Sequence, residues 1–393
     1  MKTLPDNPNL DHLRQQAKDL LAGLRDSEPA AKLSDAQASL AERYGFRTWT
    51  ELKAEVDRMR GRADVADHVL AQAIAARYGL GEAIGRMRSL ARRDEIGRPW
   101  SLETDKGRWL VRSLGDWIQI VDTETEVALQ RAAADQGVLL PAPVRSGTGG
   151  IVESVGGHRW RVYEWLHSGP LLVAPVSAAS TRSVGEILAK LHRLELPVDR
   201  ISPWHASRFS QVEWRELAAS AQAKRASWAP ALARMIPTLV ELSAIGDGVP
   251  APAPVLSHNA LGPGVVRLGP NGRLVVAGWE HAGGQPPSWE LAGALADWAV
   301  DPTGGVNAAG VLALVRGYQS EAGSLPSMDI AAFRGHAIGL VNYLDGLIYE
   351  ATECPNMDDR DHADRSVRHL LAHLPSRATY ELLLDTALAT AAA

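Results

Sequence analysis

The spacing of apolar residues changes period twice along the chain. Over residues 1–60 it is helical and predicts three short helices. The first opens at Asn7-Pro8 and places Leu10, Leu13, Ala17, Leu20, Leu21 and Leu24 on one stripe. Ser34 with Gln37, and Thr48 with Glu51, have the spacing of capping boxes for the second and third helices, and Gly45 closes the second. From about 66 to 93 the pattern stays helical, with Leu70, Ile74 and Tyr78 ahead of Gly79 and Gly81. The period then drops to two. WSLETDKGRWLVRSL (100–114) alternates on both sides of Asp105-Lys106-Gly107 and predicts a hairpin. Residues 118–137 predict a strand-like run and then a helix ended by Gly137, and HRWRVYEWL (158–166) predicts another strand after a loop marked by Pro141 and Pro143. Beyond Ser168 helices return at 184–194, 214–228 and 329–351, and residues 255–280 predict two short strands around Gly269-Pro270-Asn271-Gly272.

These elements add up to an α+β chain in three parts: a helical module (1–62), a lobe with a small antiparallel sheet and a helix (66–166), and a helical lobe (167–393). A length of 393 residues exceeds one ordinary core, which agrees with that division. With 46% hydrophobic and 22% charged residues the chain can bury a sizeable core, so disorder is not expected. Basic residues (41) are interspersed with acidic ones (46) and form no block, which argues against a nucleic-acid partner. The one cysteine, Cys354, cannot make an internal disulfide, and no cysteine–histidine spacing suits zinc. The amino terminus turns polar within a few residues and no apolar run is long enough to span a membrane, so a cytoplasmic location is expected.

Several strings carry a resemblance. GRWLVRSL (107–114) looks like a strand bearing a phosphate-pairing cation, at Arg112; TETEVALQRAA (123–133) places Glu126 where a partner glutamate would stand. RVYEWL (161–166) looks like a hinge strand, and EILAKLHRL (186–194) like a helix containing a Leu-His pair. In this order they resemble the aminoglycoside phosphotransferase and choline kinase relatives of the protein kinases over roughly the last 320 residues. The resemblance implies a bilobal protein-kinase-like fold preceded by a small all-α domain, which itself resembles a helical module found ahead of various bacterial domains. An ATP–magnesium cofactor and a hydroxylated or cationic small-molecule substrate would follow for an active member.

Phosphoryl transfer is almost wholly charge placement: a cation on the phosphates, metal ions held by carboxylate and asparagine, and an aspartate aligning the attacking hydroxyl. The family's catalytic string runs roughly His-Gly-Asp-Leu-His-Pro-Gly-Asn, and this chain has His258-Asn259-Ala260-Leu261-Gly262-Pro263-Gly264-Val265. Ala260 stands at the aspartate position and Val265 at the asparagine position. Where the family places the metal aspartate before Trp-Glu, this chain has Gly278-Trp279-Glu280. Hydrocarbon neither accepts a hydroxyl proton nor ligates magnesium, which demands oxygen. Arg112 replaces a lysine whose compact ammonium a planar guanidinium does not copy. The phosphate-covering stretch near Asp94 to Arg98 holds a single glycine, Gly97, and the charged run Arg92-Arg93-Asp94-Glu95 opens it.

The expectation is therefore a family member without phosphotransfer, no nucleotide or metal cofactor, and a cleft between the lobes that binds a small molecule such as a natural product or acts on it without ATP. Two alternatives stay open: an atypical antibiotic kinase that does use ATP and magnesium, and a pseudokinase scaffold for a protein partner. His258, Glu280 and His281 are the candidate acid–base groups, beside the bland reading that His258 only braces its loop. Trp165, Trp279 and Asn259 are candidate ligand contacts, and Glu164 with Glu280 are candidate anchors for a cationic group, with Arg112, Glu126 and Glu164 lining the former cofactor side. Most of the twelve tryptophans are expected in the core. MDDRDHAD (357–364) reads as the acidic start of a helix, and His369 with His373 as a helix surface, ahead of any metal site. The first sixty residues are read as a packing or self-association module.

Overall fold

The computed structural model describes residues 30–59, 68–91, 96–115, 119–169, 176–300 and 304–392, with single positions among the first 21 and at 171, 172 and 174. Part of the first stripe is seen: Leu10, Leu13 and Ala17 are buried with Leu20 packed beside them, whereas Asn7 and Leu24 lie outside the described residues. Helices α1 (Leu33–Arg43) and α2 (Trp49–Met59) close that small core with Leu40, Ala41, Leu52 and Val56. The cap of α1 differs from the expected Ser34–Gln37 box. Its N-cap is Lys32, whose backbone N–H donates to Asp35 Oδ2 at 2.8 Å. A carboxylate in the first turn accepts more strongly than a hydroxyl and is favoured by the helix dipole, so it moves the boundary. At α2 the Thr48 hydroxyl accepts the Glu51 N–H at 3.1 Å, while the Glu51 carboxylate turns to Arg47.

The chain divides into two units, Met1–Ile118 with Pro141–Pro170, and Gln119–Leu140 with Leu171–Ala393. In the first, α3 (His68–Tyr78) precedes β1 (Arg88–Ser89), β2 (Gly97–Thr104) and β3 (Gly107–Leu114); β4 (Pro143–Val144), β5 (Val152–Val155) and β6 (His158–Glu164) follow. The sheet is antiparallel, in the order β1-β2-β3-β6-β4, with β5 also on β6. Asp105-Lys106 forms the tight turn between β2 and β3. Trp100, Val111 and Val162 line up across three strands, and with Leu102, Trp160, Ile74 and Tyr78 they make this unit's core. Each such side chain removed from water stabilises by about 2 kcal/mol before entropy is counted. Residues beyond Gly79 leave the helical pattern expected to 93, because Gly79 and Gly81 both take positive φ.

In the second unit the expected strand-like run at 118–122 is not a strand among the described residues. Asp122 instead caps α4 (Thr123–Asp135), its Oδ1 accepting the Thr125 N–H at 2.9 Å. The helices α5 (Ala178–His192), α6 (Pro203–Ala206), α7 (Trp214–Ala223) and α8 (Ala229–Ser243) follow. The single helix expected at 214–228 ends at Ala223 and a new one starts at Ala229, because Arg225 takes φ 56° between them. Four three-residue strands then pair as two hairpin-like ladders, β7 (Val255–Ser257) with β10 (Gly283–Gln285) and β8 (Val266–Leu268) with β9 (Leu274–Val276). The helices α9 (Pro287–Ala299), α10 (Ala308–Ala322), α11 (Arg334–Glu353), α12 (Met357–Ala372) and α13 (Arg377–Ala392) complete the unit around one large apolar core. No helix among the described residues is long and apolar enough to cross a membrane.

Candidate functional site

Ser257 of β7 stands opposite Gly283 of β10, so the segments 258–265 and 277–282 leave the same end of one ladder and meet. His258 is fully buried between them. Its Nε2–H donates to the Ala277 carbonyl at 2.9 Å, and its Nδ1 accepts the Ala260 N–H at 3.3 Å. The ring also meets Trp279 edge-on, with centroids 4.8 Å apart. Burial pushes the imidazole pKa down to about 4, so it is neutral at neutral pH with both nitrogens spent on backbone.

Asn259 takes φ 65°, a left-handed conformation that asparagine tolerates better than most residues. Its N–H donates to Glu290 Oε1 at 2.7 Å and its Nδ2 to the His281 carbonyl at 3.2 Å. Its buried Oδ1 has no partner among the described residues. Behind the loop, Glu290 Oε2 accepts from His192 Nε2 at 2.8 Å, and His192 Nδ1 meets the Tyr318 hydroxyl at 2.9 Å. Burial alone would raise the Glu290 carboxyl; the His192 hydrogen bond and charge and the Asn259 N–H outweigh it and hold it below the usual range. This Tyr318–His192–Glu290 chain fixes the loop from inside the core. His192 was visible in EILAKLHRL without a role, and Glu290 lies in PSWELA with nothing local to mark its partner.

The three positions at which the resemblance implies polar catalytic groups are also gathered here. The Ala260 carbonyl accepts the Gly262 N–H at 2.7 Å in a tight turn. The Val265 carbonyl accepts the Ala277 N–H at 3.0 Å, which draws Gly278 against the valine. Gly278 takes φ 79°, and a Cβ built there would stand 2.7 Å from Val265 Cγ1 and 3.1 Å from Val265 Cβ. A side chain at position 278 would thus meet the isopropyl carbon of Val265. A hard divalent cation takes oxygen ligands, and this donor set does not fit one. Glu280 is buried and His281 half-buried in the turn Trp279–His281, against which α4 packs.

The remaining candidates lie under this loop or on other elements. Trp279 is a core residue whose Nε1–H donates to the Val276 carbonyl at 3.0 Å. Glu126 is buried on α4 and accepts from Gln130 Nε2 at 2.6 Å. Arg112, Glu164 and Trp165 belong to the first unit: Arg112 sits mid-strand opposite Arg161, Glu164 is exposed at the end of β6, and the Arg108 guanidinium covers the Trp165 ring at 3.8 Å. Of the expected phosphate-covering stretch, Asp94 and Glu95 lie outside the described residues, as do Arg92 and Arg93. Gly97 begins β2 and approaches the Ser113 carbonyl so closely that a Cβ there would lie 1.7 Å from it. Helix α12 begins in the MDDRDHAD run, and His373 Nδ1–H donates to the His369 carbonyl at 2.6 Å. Trp160, Trp214, Trp228 and Trp289 are buried like Trp279, with Trp165 and Trp204 half-buried.

The profile of the Phosphotransferase enzyme family (APH) matches residues 89–323. No curated protein matches the chain. Among solved structures it is similar to spectinomycin phosphotransferase APH(9)-Ia in complex with ADP and spectinomycin, at TM-score 0.58 and 12% identity, over 82% of this chain and 99% of that one. An AMP-bound complex of the same enzyme gives TM-score 0.51 and 11% identity over 82% and 99%. The choline kinase LicA from Streptococcus pneumoniae gives TM-score 0.45 and 14% identity over 77% and 98%.

Proposed function

Because the chain belongs to the phosphotransferase enzyme family, with an α+β protein-kinase-like fold, we propose that it is a member that has given up phosphate transfer and keeps its site to hold, or to act without ATP on, a hydroxylated or cationic small molecule. One observation carries this reading: Val265 Cγ1 fills the space into which a side chain at position 278 would reach, at 2.7 Å from its Cβ. Restoring one acid would therefore not restore the metal site, since the valine occupies the second ligand's place as well. The attacking hydroxyl would also lack its base, because Ala260 ends in a methyl group and His258 has no nitrogen left to offer. What survives is the scaffold under the loop, with Glu290, His192 and Tyr318 still holding it in shape. A loop kept rigid after its charge is lost supports recognition, for which preorganisation is the main requirement.

The spectinomycin named with the similar phosphotransferase is the compound to screen first. The test is thermal unfolding of the full chain with magnesium and ATP. Anything that binds the native state stabilises it by mass action. The expected midpoint is the same with magnesium–ATP as with magnesium alone, and a rise that grows with nucleotide concentration would overturn the reading.

A further inference from the structure

Helix α12 carries a cluster of metal-ligating side chains on an element other than those that build the loop at 258–265. Ala363, Val367 and Leu371 recur at four-residue steps and are buried, so they form its inner face. His369 lies about half a turn round the helix from Val367 and is exposed, as is His373, which follows the last helical residue, Ala372. In the sequence the pair has only its spacing, and the fold adds geometry. The two rings face each other with centroids 4.2 Å apart and planes 32° from parallel. His373 Nδ1 lies 2.6 Å from the His369 carbonyl oxygen. A carbonyl only accepts, so Nδ1 carries the hydrogen, and the neutral ring keeps its lone pair on Nε2. The His373 backbone N–H donates to the Leu370 carbonyl at 3.0 Å, so this residue is tied to the helix at two points.

Two imidazole nitrogens on one metal ion, each at about 2.0–2.1 Å and with a bond angle of about 90 to 110°, place their ring centres about 4.5 to 5 Å apart. The observed 4.2 Å is within a small side-chain rotation of that spacing. Partial burial and then the charge of His373 hold the His369 pKa below the ordinary histidine value, which leaves its ring neutral and able to ligate at neutral pH. Neither histidine pairs with a carboxylate among the described residues: Asp364 is taken by Arg368 at 3.1 Å and Glu381 by Arg377 at 2.8 Å. Those pairs also neutralise Arg368 and Arg377, and solvent screens the exposed Arg365. The carboxyl end of a helix carries partial negative charge, which favours a cation beside its last turn.

We propose that His369 and His373 form a surface site for a divalent transition-metal ion of the zinc, nickel and copper group, His373 giving Nε2 and His369 one ring nitrogen, with water completing the coordination. Imidazole suits these ions, whereas magnesium and manganese prefer oxygen, so the site discriminates against the cations used in phosphate transfer. The bound ion would link the last turn of α12 to the residue beyond it and staple the helix end ahead of Pro375 and α13. Failure of this site would leave the proposed loss of phosphate transfer untouched, and the reverse also holds.

The experiment is thermal unfolding and calorimetric titration of the full chain, free of any affinity tag and without nucleotide, using nickel chloride, zinc chloride and magnesium chloride as separate probes. Nickel and zinc are expected to raise the unfolding midpoint of the wild type by an amount that grows with metal concentration and is reversed by EDTA, and magnesium is expected to leave it unchanged. His373→Gln keeps a donor for the His369 carbonyl but has no ring lone pair, and His369→Gln removes the other ligand. Each variant is expected to weaken nickel by about tenfold or more while its metal-free midpoint stays near wild type, since both positions are exposed. No nickel or zinc shift in the wild type, an equal shift with magnesium, or a nickel affinity unchanged in either variant would each overturn the proposal.

Discussion

His258 is a histidine whose charge the fold has excluded, and this makes it visible in the pH dependence of stability. Its folded pKa lies near 4 against an ordinary 6.5, so between those values the unfolded chain binds a proton that the folded chain refuses. Stability is then full above about pH 6.5 and is lost as pH falls toward 4, by about 3 kcal/mol over the window. His205, also held below its ordinary value by burial, adds in the same direction. Glu290 acts lower: its depressed carboxyl contributes stability above its unfolded value of 4.5 and loses it as pH drops further. Urea unfolding between about pH 7 and pH 4.5 is expected to show this slope in the wild type and a shallower one in His258→Gln, which keeps a donor but cannot titrate in that range. Equal slopes would remove His258 from the account. Gly278 gives a second residue-scale prediction. Gly278→Asp meets both a left-handed backbone and Val265 Cγ1, and is expected to cost about 2 kcal/mol. Paired with Val265→Ala, which removes the colliding carbon, it should cost less than the two single losses added together. Denaturant midpoints of the three variants measure that coupling, and strict additivity would mean the two side chains do not compete for one space.

Among the elements, α5 and α10 cross with their backbones in contact. A Cβ at Gly185 would lie 2.1 Å from the Leu314 carbonyl oxygen, and one at Gly317 would lie 2.0 Å from that of Arg182. Gly185→Ala or Gly317→Ala must push the helices apart, and each is expected to destabilise by about 3 kcal/mol or more, against tenths for alanine at an exposed helix position. Circular-dichroism melts would check this, and a wild-type midpoint would refute so close a crossing. Neither glycine stood out in the sequence, because a helical glycine reads as a weak spot until its neighbour is known. The hairpin was legible for the opposite reason: alternation, turn and glycine all fall within residues 97–114, so local physics decides it. The cap at Lys32 and the break at Arg225 were missed because several acceptable boundaries compete within a few residues, and tertiary packing chooses among them.

At the scale of the molecule, the strings at 258–265 and 278–280 singled out two segments that the fold brings together. They did not reveal what supports or flanks the loop at 258–265. Glu290 meets His192 across 98 residues, His336 meets Asp297 across 39, and His205 meets Gly335 across 130, and no local signal joins such partners. The candidate site is therefore a family scaffold whose loop is held from inside the core by Glu290, His192 and Tyr318. The most direct test of the proposed loss of metal binding is electron paramagnetic resonance of Mn2+ with ATP, titrated with the full chain, since Mn2+ takes the same oxygen ligands as magnesium. The free-complex signal is predicted to persist unchanged at every protein concentration. Loss of that signal with one equivalent of protein would mean that oxygen atoms do gather a cation at this site, and would contradict the account at its centre.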